Sequence, residues 1–120
     1  MSWIRYGSLL MLLGVALGAF GAHGLKDILS EEGRAWWQTA VLYHLIHGLG
    51  LLMVGWLSVL KPTHPLVRNA GWAFVIGIIL FSGSLYLLSL TGFRKLGIIT
   101  PFGGLAFLIG WLLLALSAAP

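Results

Sequence analysis

Read as apolar against polar positions, the chain is four long apolar runs separated by three short polar breaks. The runs cover residues 3–22, 36–60, 67–91 and 98–118. Each holds the roughly 20 mostly apolar residues that a bilayer-crossing helix requires. The breaks are LKDILSEEGR, KPTHP and GFRK, and they carry nearly all the charges. Pro62 and Pro65 mark the second break, because each lacks a backbone donor and restricts the residue before it. Thr100-Pro101 suits a helix start, with Thr100 as the cap and Pro101 in the first turn. Ser30 followed by Glu31 and Glu32 reads as an N-cap with acids at the positive helix end, although Gly33 weakens it. A helix starting there would run about 30 residues, or about 45 Å, so its first two turns would lie along or above the membrane surface. Leu25, Ile28 and Leu29 make the preceding loop partly amphipathic. The pattern predicts an all-α, single-domain, four-helix transmembrane bundle over residues 1–120.

Composition strengthens that picture. The chain is 59% hydrophobic and 8% charged, against about 45–50% and about 25% for a soluble domain. Trp3, Tyr6, Trp36, Trp37, Trp72 and Phe93 fall near the ends of the runs, as an interfacial aromatic belt requires. The first run carries a second reading. Arg5, the apolar stretch and AFGA at 19–22 have the layout of a secretory signal. The run is long enough to span, and a retained helix is expected.

The formal charge of +4 and pI near 10.0 invite a nucleic-acid reading. The seven Lys and Arg are instead scattered singly at the ends of apolar runs, where their stems reach the headgroups. No basic cluster exists to contact phosphates in series, so nucleic acid is not an expected partner. With four spans both termini lie on one side, called side A. Side A carries Arg5, Lys61 and Arg68, and side B carries Lys26, Arg34, Arg94 and Lys95. The balance leans toward a cytoplasmic side B, with loops 23–35 and 92–97 inside.

HGLGLLMVGWLSVL, from His47, overlays FGGLAFLIGWLLLA, from Phe102, with the Gly48/Gly55 spacing recurring as Gly103/Gly110 and each pair followed by Trp (Trp56, Trp111). The first and third runs match only as FGAH against FSGS. Two-helix halves in one orientation would make a weak parallel repeat. Gly14, Gly18 and Ala22 form a small-residue stripe suited to close helix contact, and a homo-oligomer could form through it.

The apolar runs contain polar residues that lipid would not welcome. Tyr43, His44 and His47 share one helix face, His44 and His47 being about 60° apart. That face should point into the bundle. If Trp36 and Trp37 mark the side B interface, His44 lies about 11 Å deep and His47 about 16 Å. Ser82, Ser84 and Tyr86 of the third run fall about 4–12 Å below the same surface. His23 ends the first helix there, whereas the side A half is almost purely apolar. These seven residues form the candidate ligand-binding cluster, a polar core or shallow cavity opening toward side B. The two histidines could tie helices, take a proton or small ligand, or hold a metal with further ligands. The absences exclude more. Asp27, Glu31 and Glu32 are the only acids, and all lie outside the spans. A carboxylate-bridged metal pair and an acid-oriented Ser–His pair therefore lack a carboxylate. Same-face histidines cannot supply both axial ligands of one haem. No phosphate-cradling loop and no Cys is present, and the residues imply no cofactor.

GAFGAHGL at 18–25, TAVLYHLIHGLGLL at 39–52, FSGSLY at 81–86 and ITPFGG at 99–104 resemble, in order and over essentially the whole chain, the YgdD/YwdK-like family of small bacterial membrane proteins (domain of unknown function 423), which has a related eukaryotic transmembrane protein. The resemblance implies a four-span, multi-pass inner-membrane protein. It implies no catalytic residue or substrate. The expected function is a membrane protein whose His/Tyr/Ser cluster ties helices or binds a small ligand, lipid or proton. The alternative is a small oligomeric transporter, and a metal-binding membrane enzyme has the least support.

Overall fold

The structure, a computed structural model, describes residues 2–118. Helix α1 runs Trp3–His23 and starts at Ser2, whose hydroxyl accepts the Arg5 N–H. Helix α2 runs Glu31–Leu60, and Ser30 caps it by accepting from the Gly33 N–H at 2.9 Å. Helix α3 runs Pro65–Thr91. Pro65 occupies its first turn, where a missing N–H costs nothing, and His64 Nδ1 accepts the Leu66 N–H. A π-helical turn, Ile78–Ser82, lies inside α3. Gly92, in the left-handed region at φ 70°, ends α3 with its N–H on the Leu88 carbonyl. A short 3-10 turn, Arg94–Ile98, leads into helix α4, Thr100–Ser117.

All four helices are long and apolar enough to cross a membrane. The 50 Å long axis accommodates α2, which at 1.5 Å per residue is about 45 Å long. Helix α2 lies between α1 and α3, and α3 between α2 and α4. The main core sits in the side A half, where Trp3, Leu51, Val54, Val67, Ala70, Phe74, Ile78 and Phe107 pack together. The loop after α1 folds back with Leu25 and Leu29 turned in beside Trp37, while Ile28 faces outward.

The two helix pairs α1–α2 and α3–α4 pack in the same register. Ile4 and Met11 of α1 cover Gly55 and Gly48 of α2; Phe74 and Phe81 of α3 cover Gly110 and Gly103 of α4. Gly7 lies against Leu52 as Gly77 lies against Phe107. Gly14 lies against Leu45 as Ser84 meets Thr100. Across these four contacts the α1 and α3 numbers (4 and 74, 7 and 77, 11 and 81, 14 and 84) differ by 70. The α2 and α4 numbers (55 and 110, 48 and 103, 52 and 107, 45 and 100) differ by 55. The overlay of α2 on α4 therefore has a counterpart in packing. The FGAH/FSGS match is out of register, since Gly14 corresponds to Ser84.

Three sequence expectations change. The Gly14/Gly18 stripe faces α2 of the same chain: a Cβ on Gly14 would lie 2.8 Å from Leu45 Cδ2, and one on Gly18 3.3 Å from Val41 Cγ1. That contact engages both glycines within one chain, while Ala22 of the same stripe is exposed. Trp3 and Trp37, near the ends of their runs, turn into the bundle and are buried rather than facing outward. Each indole N–H needs an acceptor, and Trp37 finds one on α1. Thr100 does not cap α4, because its hydroxyl is engaged by Ser84 instead.

Candidate functional site

Helix α2 is the hub of the buried polar residues. His44 Nε2 lies 2.8 Å from the Leu10 carbonyl of α1, and Nδ1 lies 2.8 Å from the Tyr86 hydroxyl of α3. A carbonyl only accepts, so Nε2 carries the proton in this bond. In the neutral ring Nδ1 then accepts from Tyr86. One imidazole thus joins three helices. Trp37 adds a second α2–α1 bond, donating to the Leu17 carbonyl at 2.9 Å. Gly21 makes room for it, since a Cβ there would stand 2.2 Å from Trp37 Nε1.

His47 uses the other flank of α2. Its Nδ1 donates to the Tyr43 carbonyl one turn earlier, at 2.8 Å. Its Nε2 accepts from Trp111 of α4 at 2.9 Å. An indole N–H can only donate, so this bond exists only with the neutral ring. The imidazole also stacks on Phe107, with centroids 3.5 Å apart and planes 9° from parallel. His44 and His47 together connect α2 to each of the other helices.

The serines act in the same way. Ser82 donates to the Ala40 carbonyl at 2.7 Å, with both residues buried. Ser84 and Thr100 share a 2.6 Å bond, and Ser84 also donates to the Phe81 carbonyl at 3.0 Å. Thr100 is then the donor in the shared bond. No buried side-chain polar atom among the described residues lacks a partner. Interhelical bonds of this type contribute about 0.6 kcal/mol each on average, up to about 1.7.

The seven expected residues therefore do not form one site. His44 and Tyr86 bond each other, whereas His47, Ser82 and Ser84 tie to Trp111, Ala40 and Thr100 respectively. Tyr43 is 37% exposed, with its ring 4.6 Å from that of Phe81. His23 sits apart from both α2 histidines, exposed at the end of α1. The helical spacing placed His44 and His47 correctly on a buried face. It could not resolve that a 60° turn sends them to different helices. Among the described residues no three His, Asp or Glu side chains converge to hold a metal.

Two hollows lie on the exposed flanks of α2. One, of about 670 Å³, runs between α1 and α2. Its lower walls are Gly18, Val41, Leu42 and Leu45, with Trp37 alongside; its rim carries His23, Lys26, Arg34 and Gln38. The other, of about 720 Å³, lies between α2 and α4 and is walled by Tyr43, Phe81, Leu105, Leu108 and Trp111. Both volumes fall within the about 300–1,000 Å³ of small-molecule sites. The sequence reading missed Lys26, Arg34 and Gln38 as a group, taking the two cations as interfacial charges. The available signal was the pairing of Gly18 and Gly21 on α1 with an Arg–x–x–x–Gln turn on α2. Arg94, by contrast, is committed: it pairs with Glu32 at 2.7 Å and lies 5.6 Å from the Trp36 ring centroid.

The family described as "protein of unknown function (DUF423)" matches residues 17–104. A UPF0382 membrane protein of Staphylococcus epidermidis is 49% identical over 115 residues, covering 96% of this chain and 93% of its own. The UPF0382 membrane protein YwdK of Bacillus subtilis is 46% identical over 116 residues, covering 97% and 94%. One from Staphylococcus haemolyticus is 48% identical over 115 residues, covering 96% and 93%. No solved structure matches the chain.

Proposed function

The chain belongs to the DUF423 family, whose matched relatives are named as membrane proteins, and from that premise we propose that it is a non-enzymatic membrane protein that accommodates one membrane lipid in the α1–α2 groove. The groove carries the reading. It is about 670 Å³ in volume, its lower walls are apolar, and it lies on a flank of the bundle that bilayer lipid would bathe. The buried histidines support the same reading by elimination, because both nitrogens of each ring are already bonded within the bundle. We place side B, with Lys26, Arg34, Arg94 and Lys95, at the cytoplasmic face of the cell (inner) membrane.

The test is lipid retention. The chain is purified in mild detergent from its own membrane, washed, extracted, and its lipid quantified per chain. Wild type keeps about one lipid. Leu42→Trp, at an exposed position lining the groove, keeps less while unfolding at the same temperature. A washed wild-type chain without lipid sinks the proposal, as does equal retention by the variant.

A further inference from the structure

We infer that the occupant of the α1–α2 groove is an anionic phospholipid of the side B leaflet, its phosphate held by Lys26 and Arg34; this rests on the lipid-accommodating reading above. The groove's chemistry is ordered along α2. Arg34, Gln38, Val41 and Leu45 line it in sequence. At 1.5 Å per residue, Gln38 lies about 6 Å below Arg34 and Leu45 about 16 Å below it. The order is cation, amide, then hydrocarbon. A glycerophospholipid presents phosphate, ester carbonyls and acyl chain in the same order. The Gln38 amide offers donors at the depth of the esters.

Charge complementarity selects the headgroup. Lys26, Arg34 and His23 line the rim, and no Asp or Glu does. Asp27, Glu31 and Glu32 are near in sequence, yet among the described residues the only ion pair is Arg94–Glu32. Lys26 and Arg34 thus make no salt bridge among those residues. An Arg fork and a Lys point charge are the two side chains best matched to phosphate. Snorkelling alone explains a cation at a helix end, but not two cations from different segments above one apolar groove. A free phosphate ion would use the rim and leave the apolar walls empty, so the lipid is the ligand the whole groove fits. Gly18 keeps the lower walls open, and the indole of Trp37, fixed to the Leu17 carbonyl, closes one side.

The experiment is native mass spectrometry of the full chain released from bilayers of equimolar phosphatidylglycerol and phosphatidylethanolamine. Wild type is expected to carry mostly phosphatidylglycerol. Lys26→Gln with Arg34→Gln, both exposed, is expected to retain lipid but lose about 25-fold in preference, the weight of two cations beside an anionic membrane. Retention by wild type without headgroup preference would overturn this inference and leave the groove as a lipid site. Loss of all lipid from wild type would overturn both. A preference unchanged in the double variant, or one abolished in wild type by millimolar inorganic phosphate, would also overturn it.

Discussion

Adjacent glycines in α4 separate packing from helix propensity. A Cβ on Gly103 would stand 2.2 Å from the Phe81 backbone nitrogen and 2.7 Å from its Cα, whereas one on Gly104 meets nothing nearer than Phe81 Cδ2 at 3.8 Å. Something must shift below 3.0 Å, and relaxing to ordinary contact at 3.4 Å moves α4 from α3 by 3.4 − 2.2 = 1.2 Å. The obstruction is main chain and cannot swing aside. Overpacking of this kind costs about 1–3 kcal/mol. The same displacement would stretch the 2.6 Å Ser84–Thr100 bond to about 3.8 Å, outside hydrogen-bonding range. That loses about 0.6 kcal/mol more. Both substitutions gain a similar helix-propensity term, up to about 1 kcal/mol, which cancels in the comparison. The expected gap is therefore about 2–4 kcal/mol, with Gly104→Ala at or above wild type. Reversible unfolding of both variants in bicelles measures it. Gly103→Ala within about 0.5 kcal/mol of Gly104→Ala would show that α3 and α4 do not meet at this point, and the common register of the two helix pairs would fall with it.

The remaining predictions concern the ties and the orientation. In a double-mutant cycle on His47→Leu and Trp111→Phe, the coupling should be about 0.6 kcal/mol and no more than about 1.7; strictly additive losses would mean that the 2.9 Å bond contributes nothing. Gly21→Ala should displace the Trp37 indole from the Leu17 carbonyl and shift the chain's tryptophan emission, and unchanged emission and stability would contradict the 2.2 Å clearance. The chain has no native Cys, so Ile28→Cys and Thr63→Cys, both exposed, should react with an impermeant reagent from opposite faces. Ile28→Cys should label from the cytoplasmic face, and labelling from outside would reverse the proposed orientation.

Residues differ in how much their position in the chain revealed. The four helices were legible because a run of about 20 apolar residues has few fates other than spanning or filling a large core. The burial of His44 and His47 was legible from helical phase, since polar groups in lipid turn inward. Their partners were not. Phase fixes a direction about one helix axis, and the partner depends on which helix stands there; Leu10, Tyr86 and Trp111 come from three different segments. The repeat was legible on only one side of each pair. Gly48/Gly55 and Gly103/Gly110 keep their identity, while the residues that cover them change from Ile4 and Met11 to Phe74 and Phe81. Their volume can drift as long as a glycine receives them, so register survives where sequence similarity does not.

The polar residues drew attention as a site for the same reason that the bundle uses them as ties. A donor or acceptor in hydrocarbon is costly unless paired, and among the described residues the bundle pairs every buried side-chain one internally. A ligand that took over His44 or His47 would have to break a helix contact first, because every ring nitrogen is engaged. Recognition is cheaper where water already satisfies the polar groups and a ligand exchanges one set of bonds for another. In this chain that condition holds at the rim of the α1–α2 groove, where Lys26 and Arg34 are exposed at the upper end of an apolar surface. On the proposed function, the buried cluster and the groove have linked roles. Trp37 belongs to both, through its bond to Leu17 and its place in the groove wall. On that reading the α2–α1 bonds of His44 and Trp37 hold α1 at the spacing from α2 that keeps the groove open. His44→Ala should therefore reduce lipid retention without touching the lipid, in proportion to its loss of stability. Full retention in a destabilised His44→Ala chain would separate the two and leave the buried cluster with a structural role alone.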